Sequence, residues 1–260
     1  MCSAKQLLRL PNHLSQVHGI ESDRGKNVSR EKIASVRRSE PSTPSLVPFE
    51  PCSSICISGP TGSGKTQWVY RFLTNLSGMY ENNPPRKILY CYGVYQNLFS
   101  EMEANVPELT TYAGVPSQTE IEEFSQEGQH GLIVLDDLMH QVLTSKEVEL
   151  LFTQGCHHRN LSVIFISQNL YGQAKSARTI ALNTWYLVLF KNMRDRSQIQ
   201  TLGRQLFLGK GDILVEAYSD AVKKPFGYLV IDSSPRGDDT LRLRTRIFPG
   251  EEPIVYLPKV

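Results

Sequence analysis

The chain has 260 residues, 40% hydrophobic and 21% charged, an ordinary globular mix that excludes collagen-like, coiled-coil and wholly disordered architectures. Its 28 Lys+Arg and 26 Asp+Glu nearly cancel overall but not locally: residues 46–158 carry 5 basic and 13 acidic residues, residues 159–246 carry 14 and 7, and an acidic half and a basic half suit different ligands. The longest apolar run, Trp185 to Phe190, is far below the roughly 18 residues of a membrane span, and the chain starts without a signal-peptide core, so a soluble intracellular protein is expected.

Residues 1–50 are polar and basic and are closed by Pro41, Pro44 and Pro48, so they read as a flexible arm and linker unable to bury enough apolar surface to order themselves. Arg37-Arg38 is too short a basic run to argue nuclear import. Residues 51–260 then form the core. Apolar, β-branched runs at 55–58, 87–92, 132–136, 162–167, 185–190 and 228–231 predict strands buried on both faces. Helices are predicted between them at 65–77, 97–104, 119–126, 145–153, 174–182 and 197–206. Such alternation predicts an α/β fold, a three-layer sandwich around a mainly parallel central sheet. Residues 209–260 are harder to assign: Arg242, Arg244 and Arg246 alternate with Leu241, Leu243, Thr245 and Ile247 as a half-exposed edge strand would.

The first strand ends in Gly59-Pro60-Thr61-Gly62-Ser63-Gly64-Lys65-Thr66, a complete G-x-x-x-x-G-K-[ST] between a strand and a helix. Its glycines let backbone N–H groups turn toward phosphates, and the helix that follows presents its positive end to the same anion. Lys65 is expected to reach the β- and γ-phosphates of ATP, and Thr66 to bind Mg²⁺ through its hydroxyl. The strand at 132–136 ends in Asp136-Asp137, where Asp136 would support Mg²⁺ and Asp137 would polarise the attacking water, unless it only caps a helix. The strand at 162–167 delivers Gln168-Asn169 to the same carboxyl edge. There the Gln168 amide could bond both the attacking water and the γ-phosphate.

These motifs, with His157-His158-Arg159-Asn160 leading into the Gln168 strand and with Phe190-Lys191-Asn192-Met193-Arg194-Asp195, resemble the FtsK–HerA superfamily of DNA-pumping ATPases. Within it they resemble the genome-packaging ATPases of large DNA viruses and of Polinton (Maverick) transposons. The resemblance spans about residues 53–205. It implies a RecA-like P-loop NTPase core and a Mg²⁺-dependent ATPase working as a homo-oligomeric ring. It also implies double-stranded DNA and a capsid protein as partners, and a virus assembly site in the host nucleus or cytoplasm. An arginine from one subunit would complete its neighbour's site; Arg194 or Arg178 is the expected choice, with Arg159 and Arg196 as alternatives.

Lys175, Arg178, Lys191, Arg194, Arg196, Arg204, Lys210, Lys223 and Lys224 lack interleaved aromatic residues, which suits tracking of the phosphate backbone over base readout. A ring ATPase for virion assembly or extrusion (Zot-like) and a P-loop kinase-type enzyme are the alternatives. Two adjacent histidines, His157 and His158, cannot face one metal from a helix or strand. The five cysteines, Cys2, Cys52, Cys56, Cys91 and Cys156, lack disulfide or metal spacing and read as structural thiols.

Overall fold

A computed structural model describes residues 5–8, 48–125, 128–138, 141–142, 145, 148, 150–152, 159–170, 180, 183–194, 196–207 and 211–258. The strands are β1 (Lys5–Leu8), β2 (Ser54–Ser58), β3 (Lys87–Tyr92), β4 (Leu109–Ala113), β5 (Gly131–Asp136), β6 (Leu161–Ser167), β7 (Tyr186–Phe190), β8 (Tyr228–Asp232), β9 (Leu243–Thr245) and β10 (Ile254–Pro258). The helices described are α1 (Lys65–Thr74), α2 (Leu76–Met79), α3 (Leu98–Asn105), α4 (Gln118–Ser125), α5 (Arg196–Leu206) and α6 (Asp212–Ala221).

The ten strands among the described residues form one sheet in the order β1-β10-β9-β8-β7-β2-β6-β5-β3-β4. The six from β4 to β7 are mutually parallel, and β8, β9, β10 and β1 continue the sheet antiparallel. The expected α/β sandwich with a mainly parallel central sheet is therefore the architecture observed. Alternate residues of each buried strand feed two cores, one on each face, as the pleat requires. Ile55 and Ile57 of β2 and Leu132 and Val134 of β5 join Trp68, Phe72 and Met102 of α1 and α3 on one face. Cys56, Ile133 and Leu135 join Ile121, Ile199, Leu202 and Leu214 of α4, α5 and α6 on the other.

Local chemistry sets several element ends. α1 buries Trp68, Val69, Phe72 and Leu73, one stripe of its surface, with Trp68 and Phe72 stacked at 5.3 Å between ring centroids. α4 begins with a reciprocal capping pair: the Glu120 amide donates to Ser117 Oγ at 3.3 Å, and the Ser117 amide donates to Glu120 Oε2 at 2.7 Å. Phe49, just before the expected start of the core, is fully buried and packs edge-on against Phe72 and Tyr186.

At the amino edge of the parallel strands His130 is a latch. Its Nε2 accepts from the Cys52 amide at 3.4 Å and from Ser162 Oγ at 2.8 Å, so Nδ1–H donates to the Asn83 carbonyl at 2.6 Å. Burial lowers the His130 pKa, against an upward pull from the bond to Asn83.

Arg242, Arg244 and Arg246 do not lie on a half-exposed edge strand. β9 sits between β8 and β10, all three of its residues are buried, and Arg244 is only 1% exposed. Its Nη1 donates to Asp232 Oδ2 and to the Leu241 carbonyl, both at 3.1 Å, and its guanidinium lies 5.6 and 5.7 Å from the ring centroids of Phe49 and Tyr186. A buried counter-ion and two aromatic faces explain how an arginine occupies a position that the alternation assigns to solvent.

Candidate nucleotide site

β6 is inserted between the phosphate-loop strand β2 and the acidic strand β5. Ser58 pairs with Ser167, and Asp136 with Ile166, so the three strands end at nearly one level. Strands two apart lie roughly 10 Å from one another. Thr66 at the start of α1 nevertheless closes this gap, its Oγ1 donating to Asp136 Oδ2 at 3.4 Å. The loop 59–66, Asp136, Asp137 and Gln168 thus share the carboxyl edge of the parallel strands, the edge at which open α/β sheets bind ligands.

The loop is shaped by backbone conformation more than by side chains. Gly62 and Gly64 adopt φ of 77° and 98°, the left-handed region that a residue with a Cβ seldom enters. The loop's first amide, on Gly59, donates to the Ser167 carbonyl at 3.2 Å and ties the loop to the tip of β6. Lys65 Nζ folds back over the loop and donates to the carbonyls of Gly59 at 2.6 Å and Pro60 at 3.0 Å. Burial lowers the Lys65 pKa, and the charges of Asp136 and Asp137 oppose that shift.

Asp136 is buried, and burial raises its carboxyl pKa. The strongest opposing effect is a hydrogen bond from Tyr90 OH to Oδ2 at 2.7 Å. Asp137 is exposed at φ 55°, a conformation that Asp tolerates better than most residues. Its carbonyl oxygen crowds the position that a Cβ on Gly93 would take, and the Gly93 amide donates to the Asp136 carbonyl at 3.0 Å. Gly93 is thus the floor on which the acidic turn rests. Gln168 is exposed, and the turn beneath it is closed by Ser167 Oγ, which donates to the Asn169 carbonyl at 2.6 Å.

Arg194 reaches the same edge through the end of β7, on the far side of the phosphate loop from the acidic pair. It is exposed, and its amide donates to Asn192 Oδ1 at 3.0 Å. Arg159 leans instead on α4, 3.5 Å from Glu122 Oε1. Arg178, with Lys175, Lys210, His157, His158, Cys2 and Cys156, lies outside the described residues. Lys191, Arg196, Arg204, Lys223 and Lys224 are all exposed. Of the thiols, Cys56 is buried and pushed up to about 12, and Cys91 is pushed up further, both by burial, which disfavours the reactive thiolate.

No protein-family model matches the chain, and no curated protein matches it. Similar solved structures do exist. The DNA-packaging ATPase B204 of Sulfolobus turreted icosahedral virus is 11% identical, with 71% of this chain and 94% of that chain covered and a TM-score of 0.47. The genome-packaging NTPase B204 of Sulfolobus turreted icosahedral virus 2, in complex with AMPPCP, is 13% identical, covering 70% and 92%, with a TM-score of 0.44. Its sulfate complex is 11% identical, covering 80% and 97%, at 0.43.

Tyr90 and Gly93 belong to the site as much as the motif residues do, and sequence reasoning missed both. Tyr90 reads as one more apolar position in a buried strand. A small residue at the carboxyl end of β3, where a backbone approaches closely, is the only signal Gly93 offers.

Proposed function

We propose that the chain is the ATPase subunit of a DNA-packaging motor, binding ATP on residues 59–66 and coupling its hydrolysis to movement of double-stranded DNA into a capsid. The observation that carries the hydrolase part is the meeting of Thr66 Oγ1 and Asp136 Oδ2 at 3.4 Å across an intervening strand. A hydroxyl and a carboxylate are the hard oxygen donors that suit Mg²⁺, which keeps its remaining positions for water and phosphate oxygens. Thr66 and Asp136 would hold that ion, whose charge offsets that of the β- and γ-phosphate oxygens.

In this reading Lys65 exchanges the carbonyls of Gly59 and Pro60 for phosphate oxygens, and the added negative charge restores a cation that burial disfavours. Asp137 accepts a proton from the attacking water, and Gln168 orients that water from the strand between. Arg194 reaches the site of a neighbouring copy in a ring. Exposed Val94, Tyr95 and Met193, in loops of this edge, support its being covered by such a copy. Exposed Lys191, Arg194, Lys223 and Lys224 near the same edge support a path for a polyanion.

The test is the steady-state ATPase rate with and without double-stranded DNA, for the full chain and for Lys65→Ala, at two salt concentrations. Several-fold stimulation that salt weakens and the variant lacks is expected. Turnover that requires Lys65 but ignores DNA would leave a nucleotide hydrolase and discard the pump.

A further inference from the structure

The acidic pair and Gln168 lie on the β6–β5 side of the phosphate loop; in the nucleotide-binding reading above, the γ-phosphate would point that way and the nucleoside would extend oppositely, over β7 toward β8. Because β8 runs antiparallel to β7, the start of β8 lies at the carboxyl edge, where Phe190 pairs with Tyr228. Just before it, a turn closed by the Gly227 amide and the Lys224 carbonyl at 3.1 Å holds Phe226 at φ 58°. With Pro225 preceding it, this is the turn position that glycine normally takes, and a bulky side chain there is an outlier. The turn leaves Phe226 71% exposed, more than any other large hydrophobic residue described. The ring is nonetheless laid against the phosphate loop: a Cβ placed on Gly64 would come within 3.0 Å of its Cδ1. Phe226 also lines a cavity of about 170 Å³ at the same edge, with Lys224, Pro225, Arg246, Glu251 and Tyr256.

An apolar ring held in water by an unfavourable backbone, touching the loop that takes the phosphates, is placed to receive the other end of the same ligand. We infer that Phe226 is the platform on which the nucleobase stacks, with the adjoining cavity taking the edge of the base. The inference rests on the nucleotide-binding reading above. Stacking uses the π-face common to all bases, so Phe226 contributes affinity without reading base identity.

The test measures binding of ATP and of inorganic tripolyphosphate, each with Mg²⁺, to the full chain. Phe226→Ala should weaken ATP about five- to hundredfold and leave tripolyphosphate unchanged. Phe226→Trp should keep ATP affinity and add fluorescence that ATP quenches and tripolyphosphate does not. Equal weakening of both ligands in Phe226→Ala would make Phe226 a support of the loop and overturn the inference, as would unaltered ATP affinity. Should the alanine variant fail to fold, the tryptophan variant decides: quenching by both ligands, or by neither, overturns it. A wild-type chain that binds neither ligand would instead refute the nucleotide reading itself.

Discussion

The two halves of the sheet handle charge in opposite ways. In the parallel half the strand interiors are apolar, and the ionisable groups that matter, Lys65, Asp136 and Asp137, gather where the strands stop. In the antiparallel half an arginine and an aspartate, Arg244 and Asp232, pair inside the sheet itself, 1% and 8% exposed. Charge at strand ends can exchange partners with a ligand. Charge inside a sheet has no such freedom, and Nε and Nη2 of Arg244 find no hydrogen-bond acceptor among the described residues, only the aromatic faces beside them. One half is therefore built to change its electrostatic partners, and the other to keep them.

Removing a charge from each half separates these roles. Lys65→Ala should reduce ATP turnover about a thousandfold, to background, because charge stabilisation of the reacting phosphates is lost. Its thermal midpoint should barely move, since the variant also removes a cation that burial disfavours. Arg244→Met should do the reverse. It strands Asp232 in the interior and should cost about 3–5 kcal/mol of folding stability in urea titrations, while the folded fraction keeps its ATP affinity. A wild-type urea midpoint for Arg244→Met would show that the ion pair is not what holds the antiparallel half.

The same contrast decides what was legible in the sequence. Parallel strands covered on both faces read as continuous apolar runs, so β2, β3, β5, β6 and β7 could be placed, and the motifs at their ends came with them. β4 was missed because Leu-Thr-Thr-Tyr-Ala, paired only to β3, lacks such a run. α6 and β10 were missed where residues 209–260 gave no clear period. The alternation around Arg244 was visible, yet nothing in it tells a solvated arginine from one whose partners, Asp232, Phe49 and Tyr186, come from distant segments. Tyr90 and Gly93 have the same difficulty, since their roles depend on Asp136 and Asp137 more than 40 positions away.

Gly93→Ala tests whether the acidic turn depends on that floor. An added Cβ would overlap the Asp137 carbonyl oxygen, so one of the two backbones must move. A shift of about 1 Å in a catalytic group can cost on the order of a hundredfold in rate, so turnover should fall by about that factor with ATP affinity retained. Loss of affinity in step with turnover would mean that the phosphate loop moves as well.

The smallest effect belongs to the amino edge, where His130 joins the residues that lead into β2 to the starts of β5 and β6. Its folded pKa lies below the ordinary histidine value of about 6.5 because burial disfavours the imidazolium. As pH falls through that ordinary value the unfolded chain takes up a proton that the folded chain refuses, so stability present at neutral pH is lost progressively toward the lowered folded pKa. Asp136 acts with the opposite sign, because its raised pKa makes the folded carboxyl the easier one to protonate on acidification. The two are separated by comparing the full chain with His130→Gln in urea titrations from pH 7 to pH 5. The variant should begin less stable, for want of the latch, and its stability should fall less with acid than that of the wild type. Parallel pH profiles would show that His130 holds the edge without titrating, and that the acid response comes from elsewhere in the sheet.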